Sequence, residues 1–245
     1  GFDAADFPLW IINLAEDTWK VRIEKALEAS EETGMHFEIC HLPFHNPEDF
    51  PSFCVKMHNA IDAAAMLGVD YAVLHPNTTT LPMTEYDETE QYDAVMRQLA
   101  PFAEHAAKVN VKLALENMRL VPAHFPVHRY CQEPEELCRV ADALGIGVCW
   151  DFGHANIGGI RQSEALAYIG SRLKVIHVND NNGIGDDHIA PFMGTIDWAD
   201  AMRGLSQIGF DGLFNFEVIC ENIPASLREK FAHYLVECAG AMMKY

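Results

Sequence analysis

A chain of 245 residues is long enough to bury a substantial core as one domain, and it is close to the usual size of a (β/α)8 barrel. Its 36 acidic residues against 17 basic ones give a formal charge of −19, which repels phosphate backbones and anionic lipid surfaces and argues against nucleic-acid and membrane partners. No apolar run approaches the ~20 residues that span a bilayer, and the opening residues lack the order of a signal peptide. A cytoplasmic protein is expected, although "GFDAADF" reads as the middle of something and leaves a lost leader open.

The first β-type segment is "DAADFPLW" (residues 3–10). Six more follow: "HFEICHLPF" (36–44), "YAVLHP" (71–76), "KLALENM" (112–118), "IGVCWDF" (146–152), "LKVIHVND" (173–180) and "LFNFEV" (213–218). Each is followed by an amphipathic stretch, which makes about seven βα units at intervals of roughly 30–40 residues. Strands that alternate with helices pair in parallel, because a parallel neighbour requires a crossover. The glycines in "EETGMHF", "LGVDYAVL", "LGIGVCW" and "IGFDGLFNF" mark helix ends just before a strand. No linker, charge block or low-complexity stretch divides residues 1–245, so one domain is expected. The seven cysteines are widely spaced and include no C-x-x-C pair, which favours free thiols.

A doubly wound sheet and a closed barrel both suit such alternation, and side-chain parity separates them. Leu113 and Leu115 oppose Ala114 and Glu116, Val148 and Trp150 oppose Cys149 and Asp151, and Ile176 and Val178 oppose Val175 and His177. Phe214 and Phe216 oppose Asn215 and Glu217 in the same way. Bulky residues facing helices, with smaller ones leading to a polar terminal residue on the other face, describe a barrel with a polar C-terminal rim. The expected fold is α/β, a (β/α)8 TIM barrel. Seven units leave it one short, so the first βα unit is expected to be lacking, with a gap between the first strand and the "FNFEV" strand.

Six segments end in a residue that binds metals: His41, His75, Glu116, Asp151, His177 and Glu217. In a parallel barrel all strand C-termini meet at one mouth, so residues far apart in sequence converge there. Three carboxylates at close quarters cannot all stay ionised without a counter-charge, and no Arg or Lys stands at any of these strand ends. A divalent cation supplies it. Glu116, Asp151, His177 and Glu217 form an oxygen-rich set with one imidazole, which favours one Mn²⁺ or Mg²⁺ ion, with Co²⁺ or Zn²⁺ as alternatives. His154 lies one turn beyond Asp151, and the loop "NDNNGIGDDHIAPFMGTIDW" brings Asp186, Asp187 and His188 over the same mouth. His41, His75, His154, Asp186 and His188 are expected to contact substrate.

The motifs "LALEN", "CWDFGH", "VIHVND", "DDH" and "FNFEV" resemble the xylose-isomerase-like superfamily of metal-dependent barrels. That superfamily holds sugar isomerases, epimerases and inosose dehydratases together with the family-two apurinic endonucleases. The resemblance implies a single metal at Glu116, Asp151, His177 and Glu217, with Glu116 and Glu217 as the catalytic acid/base pair and with His154 and His188 against substrate. It implies isomerisation or epimerisation of a ketose, aldose or related polyol through an enediolate, or an inosose-type dehydration from the same intermediate. The endonucleases hold three zinc ions, and their extra ligands fall on His41, His75, His154, Asp186 and His188; the acidic charge argues against that reading. A barrel that only binds a sugar would not need both glutamates. The expected partner is a small sugar or polyol, unphosphorylated because no Gly-rich phosphate-cradling loop is present, and a homo-oligomer is compatible with the chain. One departure stands out: "PFMG" has Phe192 where many sugar-type relatives carry the first glycine of P-G-x-G, which alters the local loop.

Overall fold

The computed structural model describes residues 1–43 and 50–245. In chain order its elements are β1 (Ala4–Pro8), α1 (Trp19–Thr33), β2 (His36–His41), α2 (Phe50–Leu67), β3 (Tyr71–Leu74), β4 (Thr80–Pro82), α3 (Glu88–Lys108), β5 (Leu113–Glu116) and β6 (Val127–Arg129). There follow α4 (Pro134–Leu144), β7 (Gly147–Asp151), α5 (Phe152–Ile157), α6 (Gln162–Ile169), β8 (Leu173–Val178), α7 (Trp198–Ile208), β9 (Asn215–Phe216) and α8 (Ala225–Met242). All seven expected segments carry strands; Phe44, at the end of the second, lies outside the described residues.

Seven strands pair in the order β1-β2-β3-β5-β7-β8-β9, every pair parallel. The register is staggered. His41 sits opposite Val73, Glu116 opposite Cys149, Asp151 opposite His177, and His177 opposite Asn215. A progressive shift of this kind curls a parallel sheet into a barrel. Ile39, Val73, Ala114, Cys149 and Val175, one from each of five successive strands, form a small buried cluster inside it. Each stands two residues before a candidate functional residue, so the period of the strand delivers His41, His75, Glu116, Asp151 and His177 to the inner face one layer higher. The opposite face of each strand, including Leu113, Leu115, Trp150 and Ile176, packs with the helices in the larger core.

The glycines expected to stop helices do so: Gly34, Gly145 and Gly209 cap α1, α4 and α7, and these three and Gly68 all have φ near +70°. That left-handed conformation lets the chain turn straight into the next strand. Asp87 caps α3 by accepting from the Glu90 N–H at 2.9 Å, and Asp197 caps α7 by accepting from the Asp200 N–H at 3.0 Å.

The barrel is nearly closed. Its two edge strands meet side chain to side chain, Asn215 Nδ2 donating to Asp6 Oδ2 at 2.8 Å and Phe2 standing edge-on to Phe216 with ring centroids 6.3 Å apart. Between them lies a cavity of about 460 Å³ lined by residues of β1, β9 and α8, among them Ala4, Asp6, Phe216 and Val236. One element was not foreseen: β4 and β6 form a separate antiparallel ribbon. Glu136 at the start of α4 secures it, accepting from Tyr86 Oη at 2.6 Å, His128 Nε2 at 2.7 Å and the Cys131 N–H at 2.9 Å.

Candidate functional site at the barrel mouth

Glu116 is 1% exposed, and both of its oxygens are engaged by imidazoles. His41 Nε2 and His75 Nε2 lie 3.1 and 3.0 Å from Oε2, and His177 Nδ1 lies 3.2 Å from Oε1. Burial pushes this carboxyl up, but the charges of His177 and His75 and the hydrogen bonds from His177 and His41 hold it well below the usual carboxylate range.

Asp151 caps α5, Oδ1 accepting from the His154 N–H at 2.6 Å and Oδ2 from Asn179 Nδ2 at 2.7 Å. Burial raises its pKa, reinforced by Glu116 and Glu217. The Asn117 side chain extends the β5–β7 pairing as a backbone would, accepting from the Asp151 N–H at 2.6 Å and donating to the Asp151 carbonyl at 3.0 Å.

Glu217 completes the group. Its Oε2 is 3.0 Å from His177 Nδ1 yet buried with no hydrogen-bond partner. Burial pushes Glu217 up, and the charge of His177 brings it down to about 2. Glu116, Asp151, His177 and Glu217 offer ligand atoms that all lie within 4.8 Å of one another. Two buried carboxylates and a partly exposed third, whose Oε2 is itself buried without a hydrogen-bond partner, fit a divalent cation.

The surrounding histidines are oriented by backbone carbonyls. His41 Nδ1 donates to Leu42 O, His154 Nδ1 to Asn117 O and His188 Nδ1 to Glu217 O, each at 2.8 Å. A carbonyl accepts only from an N–H, so in each ring Nε2 is the nitrogen presented to the mouth. Asp186 is 3.5 Å from His154 Nε2 and 3.2 Å from His188 Nε2. Burial works against charge on these rings, but Asp151 and Asp186 raise His154 to about 10 and His188 to about 9. Among the described residues, four further groups with metal-ligand geometry overlap the first, including His41–His75–Glu116 and Asp151–His154–His188. All the expected site residues therefore converge, apart from Asp187, which is exposed.

Three features escaped the sequence. Asp6 lies in β1 opposite Ile39, and its Oδ2 is 4.0 Å from His177 Nε2; Asp6 Oδ1 and His177 Nε2 are both buried without a hydrogen-bond partner. Arginine does reach the mouth, contrary to expectation: Arg119 Nε is 3.0 Å from Asp186 Oδ2. It sits on the loop beyond the strand end, where strand parity gives no guidance. The third is Asp180, fully buried, which accepts from the N–H groups of Asn181, Phe192 and Ile196 and from Trp198 Nε1 at 2.9–3.2 Å. Phe192, in the place of the family glycine, keeps a glycine-like φ of +70° at a steric cost. Gly194 is required by contact, since a Cβ there would collide with the Asn181 carbonyl and Asp180 Oδ1.

A family model described as "Xylose isomerase-like TIM barrel" matches residues 1–236. The chain belongs to this family. Among curated relatives, an uncharacterised protein of Methanocaldococcus jannaschii is 28% identical over 73% of this chain, and the match spans 63% of that relative's length. Among solved structures of the same fold, a D-tagatose 3-epimerase-like protein superposes with a TM-score of 0.76 at 21% identity, covering 99% of this chain and 91% of that one. A 3-keto-D-glucoside 4-epimerase from E. coli superposes with a TM-score of 0.72 at 18% identity, covering 97% and 90%.

Proposed function

We propose that this barrel is a metal-dependent sugar isomerase or epimerase, acting on a ketose, aldose or related polyol by proton transfer next to a carbonyl. The observation that carries the reading is the convergence of Glu116, Asp151, His177 and Glu217 on one small volume, with Glu217 Oε2 unbonded. Those four residues would hold one divalent cation, Mn²⁺ or Mg²⁺ by their oxygen-rich chemistry. When bound, such a cation polarises a carbonyl and offsets the charge that proton removal leaves on the substrate. Likeness to sugar epimerases supports the same class.

The chain's own residues divide the remaining work. Glu217, with a lone pair that no donor claims, is the better placed to remove a proton. Glu116 serves as its partner by passing on a proton that it takes from one of the three imidazoles it accepts from. His41, His154 and His188 turn Nε2 toward the mouth, where a protonated ring donates to substrate oxygens, and His75 and Asp186 complete the wall. Return of the proton to the neighbouring carbon isomerises, and return to the opposite face epimerises; loss of water instead is the dehydratase variant.

A second reading, a trinuclear-zinc nuclease, is favoured by the two overlapping clusters that share Glu116 and Asp151. The formal charge of −19 weighs against it, because duplex binding rests on Lys and Arg contacts to phosphates. Elemental analysis together with solvent-proton exchange from D₂O into a panel of ketoses tests the choice. One metal per chain and exchange in at least one ketose are expected. Three zinc ions per chain with nicking of an abasic-site duplex would replace the first reading with the second.

A further inference from the structure

We propose that Arg119 and Arg129 form an anion-binding subsite at the rim of the mouth, so that the substrate carries a carboxylate or phosphate at the end remote from its reacting carbons. The inference rests on the reading above, that this mouth turns over a sugar. Arg119 Nε contacts Asp186 Oδ2 at 3.0 Å, and Asp186 contacts His154 and His188, so the guanidinium closes a chain of contacts that begins at the centre. Arg129, the last residue of β6, packs behind it. Its Nε donates to the Thr78 carbonyl at 3.0 Å and its Nη1 to the Arg119 carbonyl at 3.4 Å.

Only neutral carbonyls accept from Arg129; it forms no ion pair with a carboxylate among the described residues. Of the two guanidiniums only that of Arg119 contacts a carboxylate, Asp186, which already serves two imidazoles. Burial, aided by the charge of Arg119, lowers Arg129 to about 10 against the pull of Asp186, which leaves it cationic at neutral pH. Two guanidiniums thus stand together in a molecule of formal charge −19. Partly burying a guanidinium against carbonyls alone leaves its desolvation poorly compensated. An anion between the two planar forks removes both imbalances, and carboxylate and phosphate suit that geometry equally. A purely structural tie between β6 and the Thr78 and Arg119 loops would be served as well by a neutral donor, and this alternative sets the test.

D-Fructose, D-fructuronate and D-fructose 6-phosphate differ only at C6. They can be compared as ligands of the Mg²⁺-loaded protein by isothermal titration calorimetry and as substrates by proton exchange from D₂O. At least one anionic ketose is expected to bind about tenfold or more tightly than fructose. Which of the two prevails separates carboxylate from phosphate. Arg129→Gln is expected to erase most of the margin, and Arg129→Lys, which keeps charge without the fork, to retain part of it. The subsite is overturned if neither anionic ketose binds more tightly than fructose, or if the margin survives in both Arg119→Gln and Arg129→Gln. Anion preference without exchange in any ketose would sink the isomerase reading and leave the subsite standing. Exchange with fructose as readily as with its two anionic forms would do the reverse.

Discussion

On one side of the mouth, β5, β7 and β8 hold Glu116, Asp151 and His177 at 1%, 0% and 0% exposure, while on the other Glu217 follows a two-residue strand and its side chain is 30% exposed. The first three are tied across strands by Asn117 and Asn179, which satisfy the backbone and side chain of Asp151. Glu217 has one backbone bond to its neighbour, from its N–H to the Val178 carbonyl at 3.2 Å, and the short strand before it borders the β1–β9 cavity. A side chain inherits rigidity from ladders on both flanks, and where the ladder stops it keeps freedom to move. The difference suits a division between groups that hold charge in place and a group that moves a proton.

The largest effects should divide along this line. Glu116→Gln is expected to lose both the bound cation and turnover, whereas Glu217→Gln should retain much of the cation while proton exchange falls by ~10²–10⁴-fold. Elemental analysis beside exchange rates from D₂O separates the two, and equal loss of metal in both variants would break the comparison.

Stability should follow the same division. Trp150 is fully buried in the firm half and donates from Nε1 to Gln162 Oε1 at 2.8 Å, so Trp150→Ala is expected to cost about 3–5 kcal/mol. Phe216, half-buried at the seam, should cost roughly 1–2 kcal/mol on truncation to Ala, since less apolar area is at stake. Denaturant midpoints at constant m measure both, and equal costs would show the seam to be as well packed as the core. Asn117→Ala strips partners from the buried N–H and carbonyl of Asp151 and is expected to cost about 1–3 kcal/mol.

A smaller effect concerns pH. Asp200 ties α7 to α6 outside the firm half, its carboxylate accepting from the Ser163 N–H at 2.9 Å, Ser163 Oγ at 2.7 Å and Arg203 at 2.6 Å. Burial raises its pKa, but these bonds and Arg161 lower it to about 2, from 3.8 when unfolded. A depressed carboxyl stabilises above the unfolded pKa and loses that contribution as pH falls from near 3.8 through about 2. Melting temperatures of the wild type and Asp200→Asn should therefore converge over that window. A constant separation across it would remove Asp200 from the account.

The barrel was legible because its strands alternate cleanly: Ala114 then Glu116, Cys149 then Asp151, and Val175 then His177 repeat one inward rule. The β4–β6 ribbon was not, because "TLP" and "VHR" are too short to display a period and a proline stands in the first and beside the second. Asp6 escaped because its significance depends on Asn215 and His177, distant residues that only closure of the barrel brings near. Arg119 and Arg129 escaped for a related reason. Their pairing joins a loop to the end of the short β6 strand, where contacts depend on paths that periodicity does not encode.

The loop that carries Asp186 and His188 is wrapped around Asp180, whose buried carboxylate gathers donors from Asn181, Phe192, Ile196 and Trp198. Ordering a free backbone costs roughly 1–2 kcal/mol per residue in conformational entropy. Here that cost falls on folding, and a molecule arriving at the mouth meets a wall already in place and need not order it again. How tightly the mouth can hold a ligand is thus governed in part by a carboxylate that lies behind the wall, out of reach of anything that enters.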